Sequence, residues 1–180
     1  MKRIIERVLN ALATGAHVLG CVAITAMMLH VSGDVLLKYL ANRPIEGTLE
    51  FVSTYYMVSV VFLPLAYVTW KEGHVEVEIF TQTLPARAQH LIQVFASVVS
   101  ALYCGLLAWR GGVNAVRSTA VGEVWASALI DIPVWPTRWL FPLGCGLAGA
   151  MFLLVALRHL AQAQAAAAAD VVSAPKRLKD

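Results

Sequence analysis

Four long stretches of this chain contain no Asp, Glu, Lys or Arg: Val8 to Gly33, Phe51 to Trp70, Ala88 to Trp109 and Trp139 to Leu157. This blocking constrains the fold more than any motif does. A helix rises about 1.5 Å per residue, so each stretch roughly matches the ~30 Å hydrocarbon core of a bilayer. The buried helices of a soluble bundle would keep a polar stripe for water, and these stretches have none. Composition agrees: 59% of the 180 residues are hydrophobic and 14% are charged, against about 25% charged in soluble domains. The pattern predicts an all-α integral membrane protein with four transmembrane helices. Residues 1–160 form the membrane domain, and the alanine-rich stretch 161–180 reads as a flexible tail after a brief extension of the fourth helix.

Charge distribution sets the expected orientation. With the N-terminus inside, the inner segments carry nine basic residues: Lys2, Arg3, Arg7, Lys71, Arg87, Arg158, Lys176, Arg177 and Lys179. The outer segments carry five: Lys38, Arg43, Arg110, Arg117 and Arg138. The positive-inside rule then favours both termini in the cytoplasm, with the terminal basic residues against anionic lipid. The first stretch exceeds the ~7–15 residue core of a secretory signal and reads as a retained signal anchor. No basic cluster carries interleaved aromatics, so nucleic acid is not an expected partner. Cys21, Cys104 and Cys145 all lie in expected spans and read as small packing residues.

The connections have their own chemistry. Helix 1 is expected to continue to about Tyr39, with Asp34 and Lys38 four apart on one face and able to pair. Asn42-Arg43-Pro44 then turns the chain. Glu50 falls in the first turn of helix 2, where the helix dipole favours a carboxylate. Pro64 should kink that helix, and Trp70 marks its inner interface. The inner loop 71–85 alternates from His74 to Ile79, compatible with a strand or with a short interfacial helix. Gly111-Gly112 is expected to break or bend helix 3. Val113 to Ile130, too polar to span and too apolar for water, reads as an interfacial helical segment between helices 3 and 4. Small residues four apart in helix 1 (Ala11/Gly15, Ala16/Gly20) and helix 4 (among Gly144, Cys145, Gly146, Ala148, Gly149 and Ala150) suit close helix contacts in lipid.

Catalytic equipment is not evident. No charged residue lies near the middle of a span, where ion-coupled carriers place one. Glu72, His74, Glu76 and Glu78 would share one side of a strand, but a solvated acidic loop is the plainer reading, and no metal or other cofactor is assigned. His17, His30 and His90 show no pair at matching depth for a membrane haem. A haem- or quinone-associated anchor of a respiratory enzyme is the alternative reading. The physical reading thus ends at a membrane protein, not an enzyme, that works by holding a partner.

Several motifs, in order, resemble the small permease (DctQ-like) subunits of tripartite ATP-independent periplasmic (TRAP) transporters. They are Val35-Leu36-Leu37-Lys38-Tyr39, then Arg43-Pro44-Ile45-Glu46-Gly47 with Glu50, and Phe62-Leu63-Pro64-Leu65-Ala66-Tyr67. Glu72-Gly73-His74-Val75-Glu76-Val77, Ile132-Pro133-Val134-Trp135-Pro136 and Phe141-Pro142-Leu143-Gly144 complete the set. Lys38 stands where arginine is usual, and Pro64 where a small residue is commoner. The resemblance implies a multi-pass subunit of the bacterial inner membrane, bound to a large permease of roughly twelve spans and served by a periplasmic solute-binding protein. It implies sodium-driven uptake of a carboxylate such as a C4-dicarboxylate or sialic acid, with this subunit enlarging the static scaffold. On that basis Arg43, Glu50, Trp70 and His74 are candidates for the partner interface. Lys38, Arg110, Arg117, Glu123 and Asp131 are candidates for docking the binding protein.

Overall fold

The computed structural model describes residues 2–43, 45–71, 86–126 and 131–177. Four helical passages are long and apolar enough to cross a membrane. The first is α1 (Lys2–Ala41). The second is a broken passage of α2 (Thr48–Phe51), a widened π-helical turn (Val52–Tyr56), α3 (Met57–Phe62) and α4 (Leu65–Trp70). The third is α5 (Ala86–Val121), and the fourth is a 3-10 turn (Thr137–Trp139) leading into α6 (Leu140–Arg177). The helix α6 runs through most of the alanine-rich stretch.

The passages end where local chemistry dictates. Asn42 adopts a left-handed conformation (φ 52°) and stops α1, a role asparagine tolerates better than other non-glycine residues. Asp34 does not pair with Lys38: its carboxylate accepts the Ile45 amide at 2.5 Å and clips the connection onto α1. Pro44 lies outside the described residues. The expected break in the second passage is present at Leu63-Pro64. Proline offers no N–H to the preceding turn, and Pro64 packs where Gly20 of α1 has no side chain.

The region between the third and fourth passages differs from expectation. Gly111-Gly112 does not interrupt the helix, and residues 113–121 are not a separate interfacial segment but the continuation of α5. The reason is packing. The absent side chain of Gly111 makes room for the Phe141 ring, while Ala115 and Ser118 are buried beneath the chain that follows. The helix then closes in a Schellman arrangement at Gly122 (φ 63°): Gly122 N–H bonds the Thr119 carbonyl at 3.2 Å, and Glu123 N–H bonds that of Ser118 at 3.0 Å. Beyond it stands a short antiparallel hairpin, β1 (Val124–Ala126) against β2 (Asp131–Pro133), with Trp125 opposite Ile132.

The core sits between α1, α4 and α6, where Ala13, Ala66, Ala148 and Met151 are buried. Small side chains dominate because helix association in lipid depends on close van der Waals approach rather than on expelling water. Gly144 packs directly on the backbone of Phe62, and Gly149 on Cys104 and Ala101 of α5.

Candidate functional site

The candidate site of a partner-holding membrane protein is its surface, and the two ends of the bundle organise it differently. At the hairpin end, four segments are tied together by polar contacts. Tyr55, in the π-helical turn, donates its hydroxyl to the Pro133 carbonyl at 2.7 Å. Trp139 donates its indole N–H to Thr119 at 3.1 Å. Arg138 pairs with Glu123 at 2.8 Å, and the Ser118 hydroxyl donates to the other oxygen of that carboxylate at 2.5 Å. Val134 N–H bonds the Glu123 carbonyl at 2.9 Å. The Ser118 hydrogen bond, followed by that of Arg138, holds the Glu123 carboxyl below its usual range, because both donors favour the charged form.

Of the residues singled out for docking, Glu123 is therefore engaged within the chain. Lys38, Arg110, Arg117 and Asp131 are exposed, and Asp131 stands opposite Ala126 in the hairpin. Beside them is a ring cluster. Phe51 stacks on Tyr55 at 4.7 Å and meets Tyr56 edge-on at 5.4 Å, and His30 of α1 contacts Phe51 and Tyr56 at 5.9 Å. Glu50 lies half-buried in the turn before this cluster, and Arg43 is exposed at the end of α1. Periodicity alone did not bring the cluster together. The widened turn at Val52–Tyr56 rotates Tyr55 and Tyr56 relative to a regular helix, and the only signal for it was the Phe51, Tyr55, Tyr56 spacing.

At the other end, Trp70 packs against the core, and the Arg158 guanidinium lies over its ring at 3.8 Å, a cation–π contact. Trp70 is thus held by α6. His17 stacks on Tyr67 at 4.3 Å with the rings nearly parallel. His90 of α5 and His159 of α6 meet, with their Nδ1 atoms 3.3 Å apart. Sequence spacing missed this pair because the two residues are 69 apart and only antiparallel packing joins them. His74 and the acidic loop lie outside the described residues, and those described contain no group of three or more His, Cys, Asp or Glu suited to a metal ion.

One comparison decides the family. The model of the family described as tripartite ATP-independent periplasmic transporters, DctQ component, matches residues 27–165. The chain belongs to the DctQ family. The matched span takes in α1 from Met27 onward, both connections at the hairpin end and α6 as far as Ala165. No curated protein and no solved structure matches the chain. DctQ components are small membrane subunits of TRAP transporters, and the four apolar passages accord with that membership.

Proposed function

We propose that this DctQ-family chain is the non-catalytic scaffold subunit of a TRAP transporter in the bacterial inner membrane. It lies with both termini in the cytoplasm and holds a large multi-span permease. The observation that carries this reading is the division between the passages. The long apolar side of α1 is unoccupied by the rest of the chain, with Leu12, Leu19 and Val22 more than half exposed, while none of the spanning segments Glu6–Ala41, Thr48–Trp70, Ala88–Val121 and Thr137–Gln164 places Asp, Glu, Lys or Arg near its middle. A subunit that coordinated solute or ion would need such a group or freed carbonyls in lipid. A scaffold needs apolar faces and interfacial anchors. The permease would then carry out sodium-driven uptake of a carboxylate, such as a C4-dicarboxylate or sialic acid, delivered by a periplasmic binding protein.

In this reading Arg43 and Glu50 at one end, and Trp70 with His74 at the other, set the register against the permease. Lys38, Arg110, Arg117 and Asp131 are the exposed charges left to meet the binding protein, since Glu123 is engaged by Ser118 and Arg138. Contacts made by exposed charges should weaken as salt rises. The test is recovery of the tagged chain from mild detergent, with partner identification and a visible absorption spectrum. A colourless complex with a multi-span permease is expected, and Glu50→Ala and His74→Ala should each lower its yield and the uptake rate. A haem Soret band or a soluble redox partner would overturn the reading.

A further inference from the structure

Between the second passage, α5 and the start of α6 lies a cavity of about 560 Å³, within the roughly 300–1,000 Å³ range of small-molecule sites. Its lining is of two kinds. Val58, Phe62 and Phe141 form an apolar wall, with the two phenyl rings edge to face at 4.8 Å. Arg110 and Arg138 supply positive charge, and none of the lining residues is acidic. Arg110 forms no ion pair among the described residues. Arg138 uses one nitrogen on Glu123, and a guanidinium carries five donors. Thr54, 8% exposed, also lines the cavity and offers it a hydroxyl.

The level of the cavity identifies the ligand. Arg110 lies 22 residues beyond Ala88, about 33 Å along α5. This is one full hydrocarbon thickness, the depth of lipid headgroups. On the second passage the lining runs from Ser53 to Phe62, roughly 14 Å toward the bilayer centre. Cations at headgroup depth above an apolar slot match a molecule with an anionic head and a hydrocarbon tail.

We propose that this cavity is a phospholipid site, holding a lipid phosphate on Arg110, Arg138 and Thr54 and an acyl chain against Val58, Phe62 and Phe141. Arginine suits the head because its planar fork can meet two phosphate oxygens at once. The proposal rests on the membrane assignment alone and stands apart from the transport reading. A lipid bound between three passages would brace the gap beneath the hairpin, where helix packing leaves space.

The test uses the full chain in neutral detergent, stripped of native lipid and analysed by native mass spectrometry. The probes are dioleoyl-phosphatidylglycerol, dioleoylglycerol and inorganic phosphate. One phosphatidylglycerol per chain is expected, held at least tenfold more tightly than dioleoylglycerol, with no stable phosphate adduct. Arg110→Gln should weaken phosphatidylglycerol binding at least tenfold, and Arg110→Lys should recover part of it. Val58→Trp, which fills the slot, should displace the lipid, with circular dichroism checking the fold. If Val58→Trp does not fold, the Gln and Lys variants at Arg110 decide the matter. Equal phosphatidylglycerol binding by wild type and Arg110→Gln would overturn the site. So would diacylglycerol binding as tight as phosphatidylglycerol, which means no headgroup recognition, or phosphate binding as tight as the lipid, which means a bare anion site.

Discussion

The first and fourth passages are nearly alike as sequence and opposite as structure. Their mean hydropathies are 1.8 and 2.2, yet 11% of the first window is buried within the chain and 39% of the fourth. Both carry small residues at spacings of four. In α6 these residues are used: Gly144 lies on Phe62, Gly149 on Cys104, and Cys145 and Ala148 are buried. Of the α1 glycines, Gly20 meets Pro64, while Gly15 and Gly33 have nothing within 4 Å. Hydropathy therefore says that a helix enters the membrane, not where it stands in the bundle. In lipid that depends on which small face finds a backbone to approach. The fourth passage is the inner post, and α1 is the outer one, with a side that the rest of the chain does not cover.

The largest expected effect tests the inner post. A side chain at Gly144 would collide with the Phe62 carbonyl, a backbone group that cannot swing aside. Gly144→Leu should lower stability by about 1–3 kcal/mol or more, read as a drop in thermal midpoint in detergent. Gly15→Leu on α1 should stay within about ±0.5 kcal/mol, and equal losses at both positions would erase the contrast between the passages. Next, Leu12→Ala with Leu19→Ala should leave the isolated chain's midpoint near wild type, since both side chains are more than half exposed. The same pair should reduce permease recovery severalfold. Unchanged recovery would place the partner on another face.

Smaller effects belong to the hairpin. Tyr55→Phe removes the hydroxyl held by the Pro133 carbonyl. It should cost on the order of 1 kcal/mol, with faster amide exchange at Val134 and Glu123. The smallest effect depends on pH. The Glu123 carboxyl is held below its usual range by Ser118 and Arg138, so its folded pKa lies under the unfolded one. Its contribution is present in full above the ordinary glutamate range and is lost as pH falls through the lowered folded value. Glu123→Gln should therefore lower hairpin protection slightly at neutral pH, where the charged carboxyl contributes, and flatten its acid-side decline. An unchanged acid profile in that variant would remove Glu123 as the link between α5 and α6.

Much of the architecture was legible because lipid leaves little choice. A run of some 20 residues without charge must form a helix to satisfy its own backbone, and all four runs do. The Pro64 break was readable for the same kind of local reason. The continuation of α5 past Gly111-Gly112 was not, because it depends on Phe141 of another helix filling the space those glycines leave. The hairpin was also hidden. Its two strands have three residues each and are tied by Tyr55, 78 residues from Pro133. Asp34 and Lys38 had the right spacing to pair, but the Ile45 amide offered a donor that no helix-face argument contains. Among the site residues, sequence placed Trp70 at an interface, and only the fold brought Arg158 over its ring.

The number of spans, the starts of the second, third and fourth to within a few residues and the resemblance to a transporter subunit were set by the sequence alone. They follow from local quantities: charge-free length, proline, interfacial tryptophan and motif order. The tertiary structure alone decided the neighbours of each span, the engagement of Glu123 by Ser118 and Arg138, the His90–His159 contact and the arginine-lined cavity beneath the hairpin. Each of these joins residues far apart in the chain, and in a bilayer, where apolar faces are nearly equivalent, only the detailed fit of backbone, small residues and buried polar groups selects among the possible pairings.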